Sequence, residues 1–475
     1  MSYSKVMKYF RDISAIPHPS GYTDGIQKYL ESFALSHSLD YKKDRIGNIV
    51  IYKKGTKNSP PLILQAHMDM VGVADDKTRD MTTTPIELTE DKSVLKAKGT
   101  SLGADDGMGM AYMLAILSND KIDSPPLECL FTVDEETGMD GAMGLDDAML
   151  SANRMINLDS EDEGEILSSS AGGAHILSNI SVKCSVQKDA MPINVKIKGV
   201  TGGHSGQEIY KRGANAIIVL RDILSSFKKE KFNLISFESN NAYNVIPKEA
   251  SFCIAFCDDD ERRRGADNIQ SAFNSIKNKY ANTDPDIELT VELLPKTKNV
   301  KCIDKKSFNN FIKYFDAYQN GVIECSENDS DKVITSLNTA VINVDLQNNN
   351  IFIGASIRSN DDVKRDLTIL NYLSSARSQG CVTTIVNSVY PSWKETPSPL
   401  REHMRAVYKK MYKKDMVEKS IHAGLECGYF ALKKPDMDIA SIGPDIRCVH
   451  TTKEYACLDS VKRVYLYLKK VIEEI

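Results

Sequence analysis

The ten residues Leu62–Val71, LILQAHMDMV, decide how this chain is read. Their start, with Pro61 ahead of it, is a largely continuous apolar run. That pattern suits a strand buried on both faces of a mainly parallel sheet better than one with a solvated side. His67 and Asp69 follow at once, two positions apart. On an extended backbone residues i and i+2 point the same way, so an imidazole and a carboxylate can address one site at the mouth of the sheet, where zinc is a suitable guest. A polar loop with a capping histidine is the other reading of the same pair.

Outward from this strand, helix and strand alternate. Helices are predicted over Lys5–Ser14, Tyr22–Ser36 and Gly107–Asn119, and strands over Ile49–Lys53, Leu127–Val133 and Arg154–Leu158. This is the order of an α/β fold. From about Ala190 the texture changes to alternating strands, INVKIKGV, SFCIAFC and IELTVEL, with helices over Ala214–Phe227 and about Ala266–Ala281. Two strands within Ile334–Ile357 turn at Asn348–Asn350, and a helix over Val363–Gln379 and a strand over Val382–Val389 follow, so this part reads as α+β. Pro391, Pro397 and Pro399 then punctuate the chain before a helix over Leu400–Met411, a strand ending at Ile442 and a closing helix over Ser460–Ile472. That last stretch is too small for a comfortable core of its own. The expected organisation is therefore a catalytic domain made from residues 1–188 and 391–475, interrupted by an inserted domain at 189–390. Three domains in series are the alternative.

Carboxylates gather where buried strands end. Gly103-Ala104-Asp105-Asp106-Gly107 places two acids among small residues ahead of an apolar helix, one able to bridge cations and the other to cap the helix. FTVDEETG puts Glu135 and Glu136 side by side after a strand, so that one can bind metal while its neighbour faces the reaction. Asp159 ends the strand in MINLDSEDEGE, and His450 follows the strand-to-loop stretch SIGPDIRCV. Ligands collect at the carboxyl ends of strands in open α/β sheets. Acids crowded there raise one another's pKa or repel, and divalent cations remove that conflict.

Composition narrows the classes. Sixty basic and 65 acidic residues leave a net charge of -5, which offers no field for nucleic acid or an anionic membrane. The 475 residues exceed what one core usually serves. Ten scattered cysteines with no CxxC pair favour a reducing compartment, and the opening residues hold no long apolar stretch, so a cytoplasmic location is expected. No GxSxG elbow accompanies the strand pattern, and no dinucleotide fingerprint or P-loop appears.

Several long runs resemble, in order, the aminoacyl-histidine (Xaa-His, or cytosol nonspecific) dipeptidase family of dinuclear zinc peptidases. They are ISAIPHPSG, LQAHMDMV, GTSLGADDGMGMA, TVDEETGMDGAMGL, NLDSEDEGEI, GVTGGHSG, IHAGLECGYF and SIGPDIRCVHTTKE. The resemblance implies a zinc-peptidase-type catalytic domain with a mostly parallel sheet, interrupted by an α+β lid domain. It implies two divalent metal ions per subunit, most readily Zn2+, held by His67, Asp105, Glu136, Asp159 and His450, with Asp105 bridging. Asp69 becomes the orienter of His67, Glu135 the general base and His204 of GGHSG a stabiliser of the oxyanion, either within its own subunit or across a boundary. Asn244, Arg358 and Glu426 are expected to bind substrate, Arg358 at the terminal carboxylate and Glu426 at the free amino group, although Glu426 can equally complete a polar network. Short peptides, mainly dipeptides, are the expected partners, with a homodimer as a further expectation. An amidohydrolase or deacylase acting on N-acyl amino acids is the alternative, and an inactive binding protein a lesser one. Tyr210, the order RGAN at Arg212–Asn215, the serines at Ser168–Ser170 and the CSENDS run depart from the family pattern. They bear on the shape of the substrate pocket.

Overall fold

The computed structural model describes residues 2–226 and 230–475. The chain divides into two units, one of Met1–Ser170, Trp393–Ser420 and Leu425–Ile475, the other of Ala171–Ser392 and Ile421–Gly424. Each has its own apolar core.

In the first unit four parallel strands form the centre of the sheet. Leu62–His67 lies between Leu127–Thr132 and Arg154–Asn157, and the last of these pairs with Asp438–Ser441 from the far end of the chain. Every residue of Leu62–His67 and of Leu127–Thr132 is buried, which is why both read as near-continuous apolar runs. The register Asp438↔Arg154 through Ser441↔Asn157 shows directly that both ends of the chain build this sheet. Antiparallel strands flank the centre, Ile49–Lys53 and Asp40–Lys43 on one side and Glu165–Ser170 on the other. Helix Ala104–Leu117 is buried at every position after Asp105, and a helix apolar on all sides belongs inside a core. It packs against Leu62–His67 and against helices Ser2–Ser14 and Leu458–Glu474. A small sheet of Leu88–Asp91, Val94–Ala97, Tyr455–Cys457 and Ile446–Arg447 frames the loop that carries His450.

The second unit is a ten-stranded antiparallel sheet with helices Ala216–Ser226, Asp259–Lys279, Lys305–Asp316 and Asp362–Gln379. The long hairpin Asp329–Asp345/Asn350–Ser359 closes at Asp345↔Asn350, with Asn349 at φ 53°, a left-handed conformation asparagine tolerates.

Two features differ from expectation, and one expectation falls outside the described residues. The first crossing between units falls at Ser170/Ala171, because Gly172–Ser181 pairs along its whole length with Asn350–Ser359. A boundary at 188/189 would cut the single 15-residue strand Cys184–Lys198. The helix expected from Ala266 begins at Asp259, because Asp258 caps it by accepting from the Glu261 N–H at 2.7 Å, and the acidic run is its first turn. The predicted end of the Ala214–Phe227 helix, Phe227, lies outside the described residues.

Candidate active site

In the first unit the expected ligands meet at the carboxyl ends of the parallel strands. His67 is the last residue of its strand, and its Nε2 lies 3.1 Å from Asp105 Oδ1 and 3.6 Å from Asp159 Oδ1. His450, held at φ 62° in its loop, places Nε2 3.1 Å from the other oxygen of Asp105 and 2.9 Å from Glu136 Oε1. Ligand atoms of His67, Asp105 and Asp159 fall within 4.8 Å of one another, as do those of Asp105, Glu136 and His450, and those of His67, Glu135 and Glu136. Asp105 belongs to two of these sets, with one oxygen turned to each imidazole. Its neighbour Asp106 is turned away and accepts from the Gly109 N–H at 3.0 Å, where a β-carbon on Gly109 would overlap the carboxylate.

Asp69 stands outside the ligand sets. Its Oδ1 is 3.4 Å from His67 Nδ1 and accepts from the Glu135 N–H at 3.0 Å, while Oδ2 accepts from the Glu136 N–H and from Ser20 Oγ. One carboxylate therefore orients the imidazole and fixes the turn that presents both glutamates.

The electrostatics fit a cation site. His67 Nδ1 lies 2.9 Å from the Asp69 carbonyl oxygen, so Nδ1 carries a proton and Nε2 meets two carboxylates. Burial disfavours the His67 cation, but Asp105, Asp159 and Asp69 outweigh it and hold its pKa well above the usual value. His450 likewise reaches about 11, burial being overcome by Asp105 and Glu136. Asp159 is pushed up to about 7 by burial, with Asp105 adding to the effect. Burial also raises Glu135 well above its usual value, with Asp159, Glu136 and Glu426 adding to the rise and His67 opposing it. Glu136 Oε1 is buried without a hydrogen-bond partner despite its nearness to His450. Without cations, protons must balance this charge. Two imidazole nitrogens and several carboxylate oxygens are a donor set suited to zinc or a similar divalent ion.

The remaining predicted residues sit in the second unit. His204 pairs with Val245 in a two-stranded ladder, and its Nδ1 accepts from the N–H groups of Gly206 (3.3 Å) and Gln207 (3.1 Å). The neutral ring therefore carries its proton on Nε2. The Ser205 N–H donates to the carbonyl oxygen of Asn244 at 2.7 Å, which holds the exposed Asn244 beside the His204 turn. Arg358 is nearly buried on its strand and donates from Nη1 to Tyr390 Oη at 3.0 Å. A β-carbon at Gly206 would stand 3.1 Å from His204 Cε1 and 3.3 Å from Arg358 Nε, so glycine there lets the two side chains share one small region.

A model of the family described as Peptidase family M20/M25/M40 matches residues 63–474. The chain belongs to this family. It is 35% identical, over 98% of its length and 96% of the relative's, to the cytosol non-specific dipeptidase of Escherichia coli (strain K12). The aminoacylhistidine dipeptidase structure from Vibrio alginolyticus superposes with a TM-score of 0.85 at 31% identity, covering 99% of this chain and 96% of that one. A tripeptidase from Staphylococcus aureus, at 15% identity and a TM-score of 0.62 over 99% and 98% of the two chains, shares the fold.

Within this M20 chain one expected substrate contact takes a different place. Glu426 is 0% exposed, and its Oε2 accepts from Gln65 Nε2 at 2.6 Å and Thr132 Oγ1 at 2.7 Å. A side chain closed off from solvent does not present itself to a substrate ammonium. Glu426 belongs to a buried polar network. Its members Gln65 and Asn157 lie two residues before His67 and Asp159 along the chain, and Asn157 Nδ2 donates to Gln65 Oε1 at 2.6 Å. His422 is half-buried and bonded to Asn360 and Ser336, and burial, with Arg358 adding to the effect, lowers its pKa to about 3. Sequence reasoning missed Asp284, which is fully buried. It accepts from the N–H groups of Thr201 (2.8 Å) and Ala214 (2.7 Å), the two ends of the segment bearing His204.

Proposed function

We propose that this chain is a metallo-dipeptidase that holds two divalent cations, zinc being the natural choice for its donors, and hydrolyses free dipeptides, Xaa-His forms including β-alanyl-histidine among them. The observation that carries this is Asp105, whose two oxygens each face one histidine and so join two ligand sets. In this reading His67, Asp105 and Asp159 hold one cation, and Asp105, Glu136 and His450 hold the other. Bound cations would supply Lewis-acid polarisation of the scissile carbonyl and acidify an attacking water.

The protein residues do the rest. Asp69 keeps His67 Nε2 aimed at the site and holds the Glu135–Glu136 turn in place. Glu135, raised in basicity by burial, accepts the proton of the attacking water and returns it to the departing amine. The Nε2–H of His204 is the donor assigned to the developing oxyanion, a role its tautomer suits. Asn244 and Arg358 are assigned to substrate oxygens, Arg358 to the terminal carboxylate that a guanidinium pairs well. The likeness to two dipeptidases over nearly the whole chain supports the substrate class. We place the protein in the cytoplasm, where ten unpaired cysteines are at home. A homodimer is part of the same proposal. Strand Val382–Tyr390 ends the ten-stranded order without one charged residue, and Leu367, Leu370 and Ile385 are more than half exposed. Sedimentation of the protein and of I385K measures it; identical masses for the two contradict this interface.

The test of the chemistry is Glu135→Gln. Turnover of a free dipeptide should fall by about 10²–10⁴-fold with both cations retained by metal analysis. Hydrolysis near the wild-type rate by the loaded variant removes Glu135 as base. A panel of free dipeptides, end-blocked dipeptides and N-acyl amino acids tests the substrate class, and preference for the N-acyl compounds replaces it with a deacylase.

A further inference from the structure

Glu454 lies four residues beyond His450, is 3% exposed, and has no part in the ligand sets. Its carboxylate accepts from three consecutive backbone N–H groups: Oε2 from Leu102 at 2.8 Å and Gly103 at 3.1 Å, and Oε1 from Ala104 at 2.8 Å. Gly103 is left-handed, φ 65°, so the three N–H groups curl into a nest around one anion. The next residue in the chain is Asp105.

We propose that Glu454 is a positioning residue for the cation site, one that locks the Asp105 loop and the His450 loop into a single frame. This deepens, and rests on, the reading of Asp105 as the bridging ligand. The argument begins with cost. A buried carboxylate is expensive unless its bonds repay it, and an apolar side chain would fill the same space without that cost. Here its bonds go to nothing but the backbone that carries Asp105. The His450 loop supplies Glu454 itself, whose N–H bonds to the Thr451 carbonyl oxygen at 3.2 Å. The two ligands that must face each other, Asp105 Oδ2 and His450 Nε2 at 3.1 Å, therefore have their separation set by a second link between the same two loops. Loss of that link lets the bridging carboxylate drift relative to His450, and misplacement of about 1 Å at a reacting centre can cost roughly 100-fold in rate.

Glu454→Gln keeps the size and removes one acceptor, turning an NH2 group toward backbone N–H donors. Chelator-treated wild type and variant are titrated with Zn2+ by calorimetry, and reloaded protein is assayed with a free dipeptide. The expected result is one cation bound about 10–100-fold more weakly, kcat lowered by a similar factor, and KM within twofold of wild type. A folded variant whose two cation affinities and kcat match wild type overturns the proposal, and so does one that loses only thermal stability. If Glu454→Gln does not fold, Glu454→Asp decides. Its shorter arm keeps the charge but cannot span three N–H groups, so weakened cation binding supports the proposal and unchanged binding overturns it. Wild type binding fewer than two cations would instead refute the dinuclear reading itself, a separate outcome.

Discussion

Glu426→Gln offers a direct reading of the buried network beneath the cation site. Burial raises the Glu426 carboxyl from an ordinary 4.5 to about 8; Asp159 and Asp69 add to the rise, while His67 and the Thr132 hydroxyl oppose it. Its folded pKa therefore lies above its unfolded one. The stability this group contributes is fully present below pH 4.5 and is lost as pH rises through about 8. Within that window the folded chain keeps a proton that the unfolded chain releases, so each pH unit removes about 1.4 kcal/mol, roughly 5 kcal/mol in all. Glutamine does not titrate. Its carbonyl oxygen can still accept from Gln65 and Thr132, and its NH2 group falls where Glu426 Oε1 has no partner, so the exchange adds a constant cost of about 1–3 kcal/mol for unmatched donors. The pH dependence of the difference is the test, not its absolute size. Trp393, the single tryptophan, is 2% exposed in the first unit and reports its unfolding by fluorescence. Urea unfolding of cation-free wild type and variant at half-unit steps from pH 5.5 to 9 should show the variant gaining steadily on wild type up to about pH 8 and holding level above it. A difference that stays flat across that range refutes the raised pKa, and with it the view of Glu426 as a neutral member of the network at pH 7.

Other outcomes follow from the same geometry. Cation binding at pH 7 should release about two protons or more per chain, since His67 and His450 must both give one up; calorimetry in buffers of different ionisation enthalpy counts them, and a count near zero contradicts the assignment. Asp284→Ala should lower the melting temperature through two freed N–H groups, about 2 kcal/mol or more, and reduce kcat with cation stoichiometry unchanged; normal turnover would separate the His204 turn from catalysis. Phe131→Ala, at a fully buried strand position, should cost about 3–5 kcal/mol in Trp393-monitored unfolding, and a loss under 1 kcal/mol would mean the core there collapses freely.

What the sequence made legible, and what it hid, follows from where each residue sends its bonds. LILQAH was readable because a strand buried on both faces must be apolar throughout, and such a strand has few places in an α/β fold. The candidate ligands were readable because imidazoles and carboxylates gathered at the ends of such strands repel or raise one another's pKa unless a cation relieves them. The i, i+2 spacing of His67 and Asp69 could not by itself tell ligand from orienter. That distinction depends on Glu135 and Glu136, whose N–H groups occupy both Asp69 oxygens. The boundary at Ser170/Ala171 was hidden because Gly172–Ser181 is a strand only by virtue of its partners Asn350–Ser359 and Val382–Tyr390, far along the chain.

Glu454, Asp284 and Glu426 were the hardest to place. Glu454 and Asp284 bind backbone N–H groups, which every residue but proline carries, so no pattern of side chains announces them. In the sequence, KEY and TDPD look like solvated turns. In the fold the same acids are buried, and each ties together stretches of backbone that carry candidate site residues. A buried acid aimed at main-chain donors thus marks where a fold fixes its loops, which a side-chain motif alone does not reveal.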